Sequence, residues 1–150
     1  MVKNRVFILI VSCVLLVLSA CGSEDVETRE FEIEEDGVVS TMTFYHQGDE
    51  VVKQTTENIL PYENINVDCK EEAKALLDPE VEKMQGVEGV SDDINYGDSE
   101  ATETLEIDYE HIDADKAKEL PGMTFDGDIE EGISMEKSAE LLLEQGYQEK

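Results

Sequence analysis

The chain has 150 residues, with 38 Asp and Glu against 11 Lys and Arg and a formal net charge of −27 at pH 7. That balance excludes nucleic acid as a partner, because phosphates need Lys and Arg to neutralise them. It also excludes attachment to anionic lipid through a polybasic patch.

At the N-terminus, Lys3 and Arg5 precede an apolar run from Val6 to Leu18 that only Ser12 interrupts, followed by small residues. This is the order of a signal peptide: charged region, apolar region, cleavage region. The run is 13 residues long, short of the roughly 20 that a helix needs to cross the hydrocarbon, so a retained transmembrane helix is the lesser reading. An ordinary secretory site wants small residues of the A-x-A kind, yet Leu18 stands three before Cys21. Leu18-Ser19-Ala20-Cys21 instead resembles the lipobox of bacterial lipoproteins. The resemblance implies cleavage after Ala20 and a diacylglyceryl group on the Cys21 thiol. Two acyl chains anchor stably where one holds marginally.

Loss of residues 1–20 removes Lys3 and Arg5 and no acid, leaving 38 acidic and 9 basic side chains and a formal charge of −29. Membrane contact is therefore expected through the Cys21 lipid alone. Cys13 leaves with the signal and Cys21 is lipidated, so Cys69 is the sole free thiol and no intramolecular disulfide is expected. Leu, Ile, Val and Phe make up 28 of the remaining 130 residues, just above the roughly 20% below which high charge predicts disorder. Periodicity has to decide whether the body folds.

Residues 21–29 read as the lipidated terminus and a short acidic tether, and 30–150 as one domain. Phe31 and Ile33 alternate with Glu30, Glu32 and Glu34 as in a half-buried strand, and Asp36-Gly37 is a hairpin dipeptide. Val38 to His46 is a second strand with Val38, Met42 and Phe44 on its apolar face. After Gln47-Gly48-Asp49-Glu50, Val51 to Leu60 forms a third strand that completes a meander. Asp68 is the expected cap of a helix, with Glu71 as its reciprocal partner, and Ala73, Leu76, Leu77, Val81 and Met84 line one helical face. Pro79 reads either as a kink or as the start of a second short helix. Val90 to Tyr96 and Thr104 to Tyr109 are expected strands that pair across Gly97 to Ala101, and Asp113 to Leu120 is a short helix stopped by Pro121-Gly122. In the last helix Ser134 is the cap, Met135, Ala139, Leu142 and Leu143 share a face, and Gly146 ends it. Tyr147 stands where a Schellman ending contacts Leu142.

The expected fold class is α+β: an antiparallel sheet of about five strands, ordered β-β-β-α-β-β-α, packed with two main helices. Behind a lipobox, this order resembles the YehR-like bacterial lipoproteins over nearly the whole mature length. The residues that carry the resemblance are Gly48-Asp49, Val52-Lys53-Gln54, Pro79, Tyr96, Asp98, Ile107-Asp108, Ile112-Asp113, Gly132-Ile133-Ser134-Met135, Leu142 and Gly146-Tyr147. It implies a fold and an extracytoplasmic address at the cell membrane, with no catalytic residues.

Chemistry is thinly signalled. Asp126-Gly127-Asp128-Ile129-Glu130-Glu131-Gly132 offers oxygens to a hard cation, but the EF-hand pattern fails at Glu131 and Lys137, and a solvated acidic loop is the better reading. His46 and His111 lack metal-ligand spacing and are expected to be exposed. Cys69 is expected in the first turn of a helix, among Asp68, Glu71 and Glu72, whose charge argues against a reactive thiolate. With 38 acids, no carboxylate pair stands out as catalytic. Lys53-Gln54 sits between polar residues of the third strand and reads as solvent-facing. No metal, cofactor or catalytic residue is expected. The reading is a non-catalytic envelope module that binds a ligand or protein partner, with a carboxylate hydrolase or an acidic cation-binding module as alternatives.

Overall fold

The computed structural model describes residues 25–120 and 129–150. The segment read as a signal peptide, Cys21 and Asp126 to Asp128 of the acidic loop lie outside the described residues.

The meander forms as expected: β1 (Glu27–Glu35), β2 (Val38–Gln47) and β3 (Glu50–Pro61) pair antiparallel. Asp36 and Gly37 take φ of 50° and 77°, the two positive angles that a type I′ hairpin requires. β1 starts at Glu27, inside the segment read as tether. Helix α1 (Lys70–Met84) leads to β4 (Val90–Tyr96) and β5 (Glu100–Asp108). α2 (Ala114–Ala117), a 3₁₀ turn (Ile129–Glu131), β6 (Ile133–Ser134), α3 (Met135–Glu144) and β7 (Gln148–Glu149) follow.

The sheet has 7 strands, ordered β4-β5-β3-β2-β1-β7 with β6 paired to β3, rather than about five. The two additions, β6 and β7, are two-residue strands. Such strands carry no periodicity of their own and arise when β3 and β1 offer partners. β5 begins four residues before the expected Thr104, because Ala101, fully buried, packs with Tyr62 and Ala73 although alanine gives little strand signal. α2 keeps Asp113 as its cap, the carboxylate accepting from Lys116 N, but its described helix spans only Ala114–Ala117.

Pro79 lies inside one continuous α1. The cap of α1 is Cys69, with no side-chain cap bond, and Glu72 accepts from the Asp68 N–H instead. Asp68 and Glu71 therefore do not form the expected capping box; the helix starts one residue later. α3 matches its expectation closely. Ser134 Oγ accepts from Lys137 N at 3.2 Å, Gly146 N donates to Leu143 O, and Tyr147 N to Leu142 O, which is the Schellman pair of bonds.

Strand register decides where the core lies. Phe31, Met42, Thr56, Leu105 and Asp92 form one row across the five main strands, on the face that both long helices cover. Near α3, Phe31, Phe44 and Val51 pack with Met135, Ala139 and Leu142, and the two phenylalanine rings meet edge to face at 6.0 Å. Near α1, Tyr62, Ala73 and Ala101 pack with Leu60, Leu77, Ile94 and Tyr96. Opposite Tyr45 and His46, β3 carries one extra residue, Val52. The bulge turns Val51 into the core while Lys53 stays on the other face.

The outer edge of β4 is plugged from α1. Bonds from Gly97 N to Glu100 O and from Asp108 N to Gly89 O aim the odd residues at β5, so the carbonyls of Asp92 and Tyr96 point to the free edge. Gln85 Nε2 donates to the first at 3.1 Å and Lys70 Nζ to the second at 2.7 Å.

Candidate functional site

Three regions hold the polar chemistry, and the first is the strip between the two clusters of the helix-covered face. The Tyr109 hydroxyl donates to Gln54 Oε1 at 3.0 Å, Gln54 Nε2 donates to Thr56 Oγ1 at 3.2 Å, and Asn58 Nδ2 donates to Glu103 at 2.6 Å. Burial pushes the Tyr109 phenol up to about 12. Asp92 ends the strip at 4% exposure, and its Oδ1 has no hydrogen-bond partner. Desolvation, helped by the charges of Glu103 and Asp93, pushes its carboxyl up to about 6. That oxygen is closed to solvent.

The second region is the joint between the β2–β3 turn and α3. Asp49 Oδ1 accepts from Glu136 N and Oδ2 from the Ser134 hydroxyl, both at 2.8 Å, while Asp49 O accepts from Met135 N at 2.7 Å. With the bond from Lys137 N to Ser134, the first three N–H groups of α3 are satisfied. The Glu136 amide and Ser134 hydroxyl hold the Asp49 carboxyl below its ordinary value. Beside the joint, Gln47, Glu50, Val52, Tyr109 and Gly132 line an open cleft of about 260 Å³, below the roughly 300–1,000 Å³ of small-molecule sites.

The third region is the opposite face of the sheet. Its rows are Thr28, Tyr45, Lys53, Asp108; Glu30, Thr43, Thr55, Glu106, Ser91; Glu32, Thr41, Glu57, Thr104, Asp93; and Glu34, Val39, Ile59, Thr102, Asn95. None of these residues is buried. Lys53 Nζ lies 2.6 Å from Glu106 and 5.3 Å from the centre of the Tyr45 ring.

The residues singled out in the sequence do not converge. Lys53 faces solvent as expected, but its neighbour Gln54 points into the covered face. His46 is buried, not exposed, with Nδ1 2.8 Å from Gly48 O. It shares the period-two face of Met42 and Phe44, the signal that marks it as inward. His111 is exposed and pairs with Asp108 at 2.9 Å, which raises its pKa. Cys69 is the half-buried N-cap of α1 rather than a first-turn residue. Ile129 to Glu131 of the acidic loop form the 3₁₀ turn. Among the described residues, no three of His, Cys, Asp and Glu are grouped to hold a metal, and no helix is long and apolar enough to cross a membrane.

Residues 27–148 match the family described as a protein of unknown function, DUF1307. The chain belongs to the DUF1307 family. An uncharacterized lipoprotein of Listeria monocytogenes is 40% identical over 99% of this chain and 97% of its own. The uncharacterized lipoprotein YehR of Escherichia coli is 29% identical over 97% and 96%. The NMR structure of YehR superposes with a TM-score of 0.73, at 28% identity over 85% of this chain and 93% of that one. An NMR structure of a Streptococcus pneumoniae protein, 19% identical with a TM-score of 0.61 over 100% and 99% of the two chains, shares the fold. Among the residues that carried the resemblance, Asp49, Ser134 and Met135 meet at the α3 joint, while Leu142, Gly146 and Tyr147 close the other end of that helix.

Proposed function

We propose that the protein is a non-catalytic binding module, held on the extracytoplasmic face of the cell membrane by lipid on Cys21, which meets its partner with the open face of its sheet. One observation carries the binding surface: both long helices cover the same face, and the other face of five strands has no buried residue. Antiparallel sheets tolerate one solvated face, and here that face runs across five strands with neither buried cluster on it. The anchor is supported by Leu18-Ser19-Ala20-Cys21 and by the lipoprotein names of the relatives. The non-catalytic reading is supported by the closed position of Asp92, whose raised pKa would otherwise suit acid–base chemistry.

A photo-crosslinking residue at Thr43, compared with one at exposed Leu76 on α1, tests the surface in intact envelopes. A discrete adduct from Thr43 alone is expected; equal labelling from both positions, or none from Thr43, refutes the assignment. Cys21→Ala tests the anchor: the protein leaves the membrane fraction and loses fatty-acid label. Unchanged labelling sinks the lipid assignment.

A further inference from the structure

We propose that the open sheet face docks a cationic polypeptide segment laid across the strands; this rests on the binding-module reading and names the partner's chemistry. The described surface is acidic throughout, and its few cations are unevenly placed. α1 mixes Lys70, Lys74 and Lys83 with its acids, and α2 with its flanks mixes Lys116 and Lys118 with Asp113, Asp115 and Glu119. The open face carries Glu30, Glu32, Glu34, Glu57, Glu106, Asp93 and Asp108 against Lys53 and, reaching in from the β1 border, Lys150.

The acids are also spaced. In the third row Glu32, Thr41, Glu57, Thr104 and Asp93 alternate carboxylate with threonine across β1, β2, β3, β5 and β4. No two acids stand directly opposite each other, an arrangement that avoids the destabilising like-charge pair. Two strand spacings separate successive carboxylates, about 9.5 Å. Lysines three residues apart on a polyproline II backbone repeat at about 9.3 Å.

The face already seats ammonium groups in this way. Lys53 Nζ sits 2.6 Å from Glu106, and Lys150 Nζ sits 2.6 Å from Glu32 at the β1 border. Glu30, Glu34, Glu57 and Asp93 have no cationic partner among the described residues. A segment bearing several cations engages them together, and the threonine hydroxyls between them supply donors and acceptors to its backbone.

The test uses the full chain in non-ionic detergent and a fluorescent peptide with lysine at every third position of a proline-rich backbone, read by anisotropy at two salt concentrations. Glu30→Gln with Glu57→Gln removes two charges from the face; Glu71→Gln with Glu80→Gln removes two from α1, and all four residues are exposed. The face pair is expected to weaken binding about tenfold, and the helix pair less than about twofold. Equal losses mean general attraction to an acidic chain and overturn the proposal. Thermal unfolding checks both pairs, and Glu30→Gln with Glu34→Gln replaces a face pair that unfolds. A second arm titrates an uncharged N-acetylglucosamine oligomer and follows the amides of Thr43 and Thr55 by NMR. Shifts with the glycan and no peptide binding overturn the cationic partner but leave the open-face reading standing. No response to either probe overturns both.

Discussion

Replacing Asp92 by Asn removes a charge that the fold holds at a loss. The carboxyl is 4% exposed, Oδ1 has no partner, and its pKa rises from 3.8 to about 6. That is about two units, and at 1.36 kcal/mol per unit the ceiling is about 3 kcal/mol. Relaxation and water entry reduce this to a working value of about 1–2 kcal/mol. The sign follows from linkage. Below pH 3.8 the group is neutral in both states and costs nothing. As pH rises from 3.8 to about 6 the unfolded chain ionises first, so stability is lost across that window and the full loss persists above it. Urea unfolding of wild type and Asp92→Asn from pH 3.5 to 8 measures the effect. The variant should gain on wild type by about 1–2 kcal/mol between the ends of this range. A difference that stays constant with pH, or grows on acidification, refutes the buried and unpaired state of Asp92.

Asp49→Ala strips the N–H of Glu136 and the Ser134 hydroxyl of their acceptor and should lower the thermal midpoint. Because the Asp49 pKa is depressed, its contribution exists above the ordinary 3.8 and is lost as pH falls towards the folded value. The gap between variant and wild type should therefore narrow in acid. Gly86→Ala and Gly89→Ala both force alanine into positive φ, at +82° and +79°. At Gly86 nothing lies within 4 Å of the new Cβ, whereas at Gly89 Ile112 Cα lies at 2.6 Å. Denaturant midpoints should show about 1–2 kcal/mol for the first and a clearly larger loss for the second. Met135→Ala, at a site 2% exposed in the α3 cluster, should cost about 2–5 kcal/mol by the same measurement; a cost under about 1 would place Met135 outside the core.

How much of this was legible in the sequence depended on whether the signal was local. The meander, the Asp36-Gly37 hairpin and both ends of α3 were readable because alternation, turn dipeptides and caps act within a few residues. β6 and β7 were not, since two residues become a strand only when β3 and β1 arrive beside them. Inward-facing His46, Gln54 and Thr56 lie on the apolar period of their strands, but polar identity masks that signal. The open face was half legible: its residues read individually as solvent-facing, whereas the alternation of carboxylate and threonine exists only across strands and needs the register. Asp49 could be read as a turn residue, but its second role, as acceptor for α3 85 residues away in the case of Ser134, could not.

The plugged carbonyls of β4 acquire weight when the protein is pictured among its own copies. Molecules tethered to one bilayer leaflet share a thin layer, are oriented alike, and meet far more often than at the same copy number in bulk. Unprotected strand borders in such a layer would template each other into ribbons. Lys70 and Gln85 occupy two of the docking points on one border, and β7 with the Lys150 amide, bonded to Glu30 O, occupies part of the other. On the anchoring proposed above, crowding on the leaflet then need not lead to polymerisation.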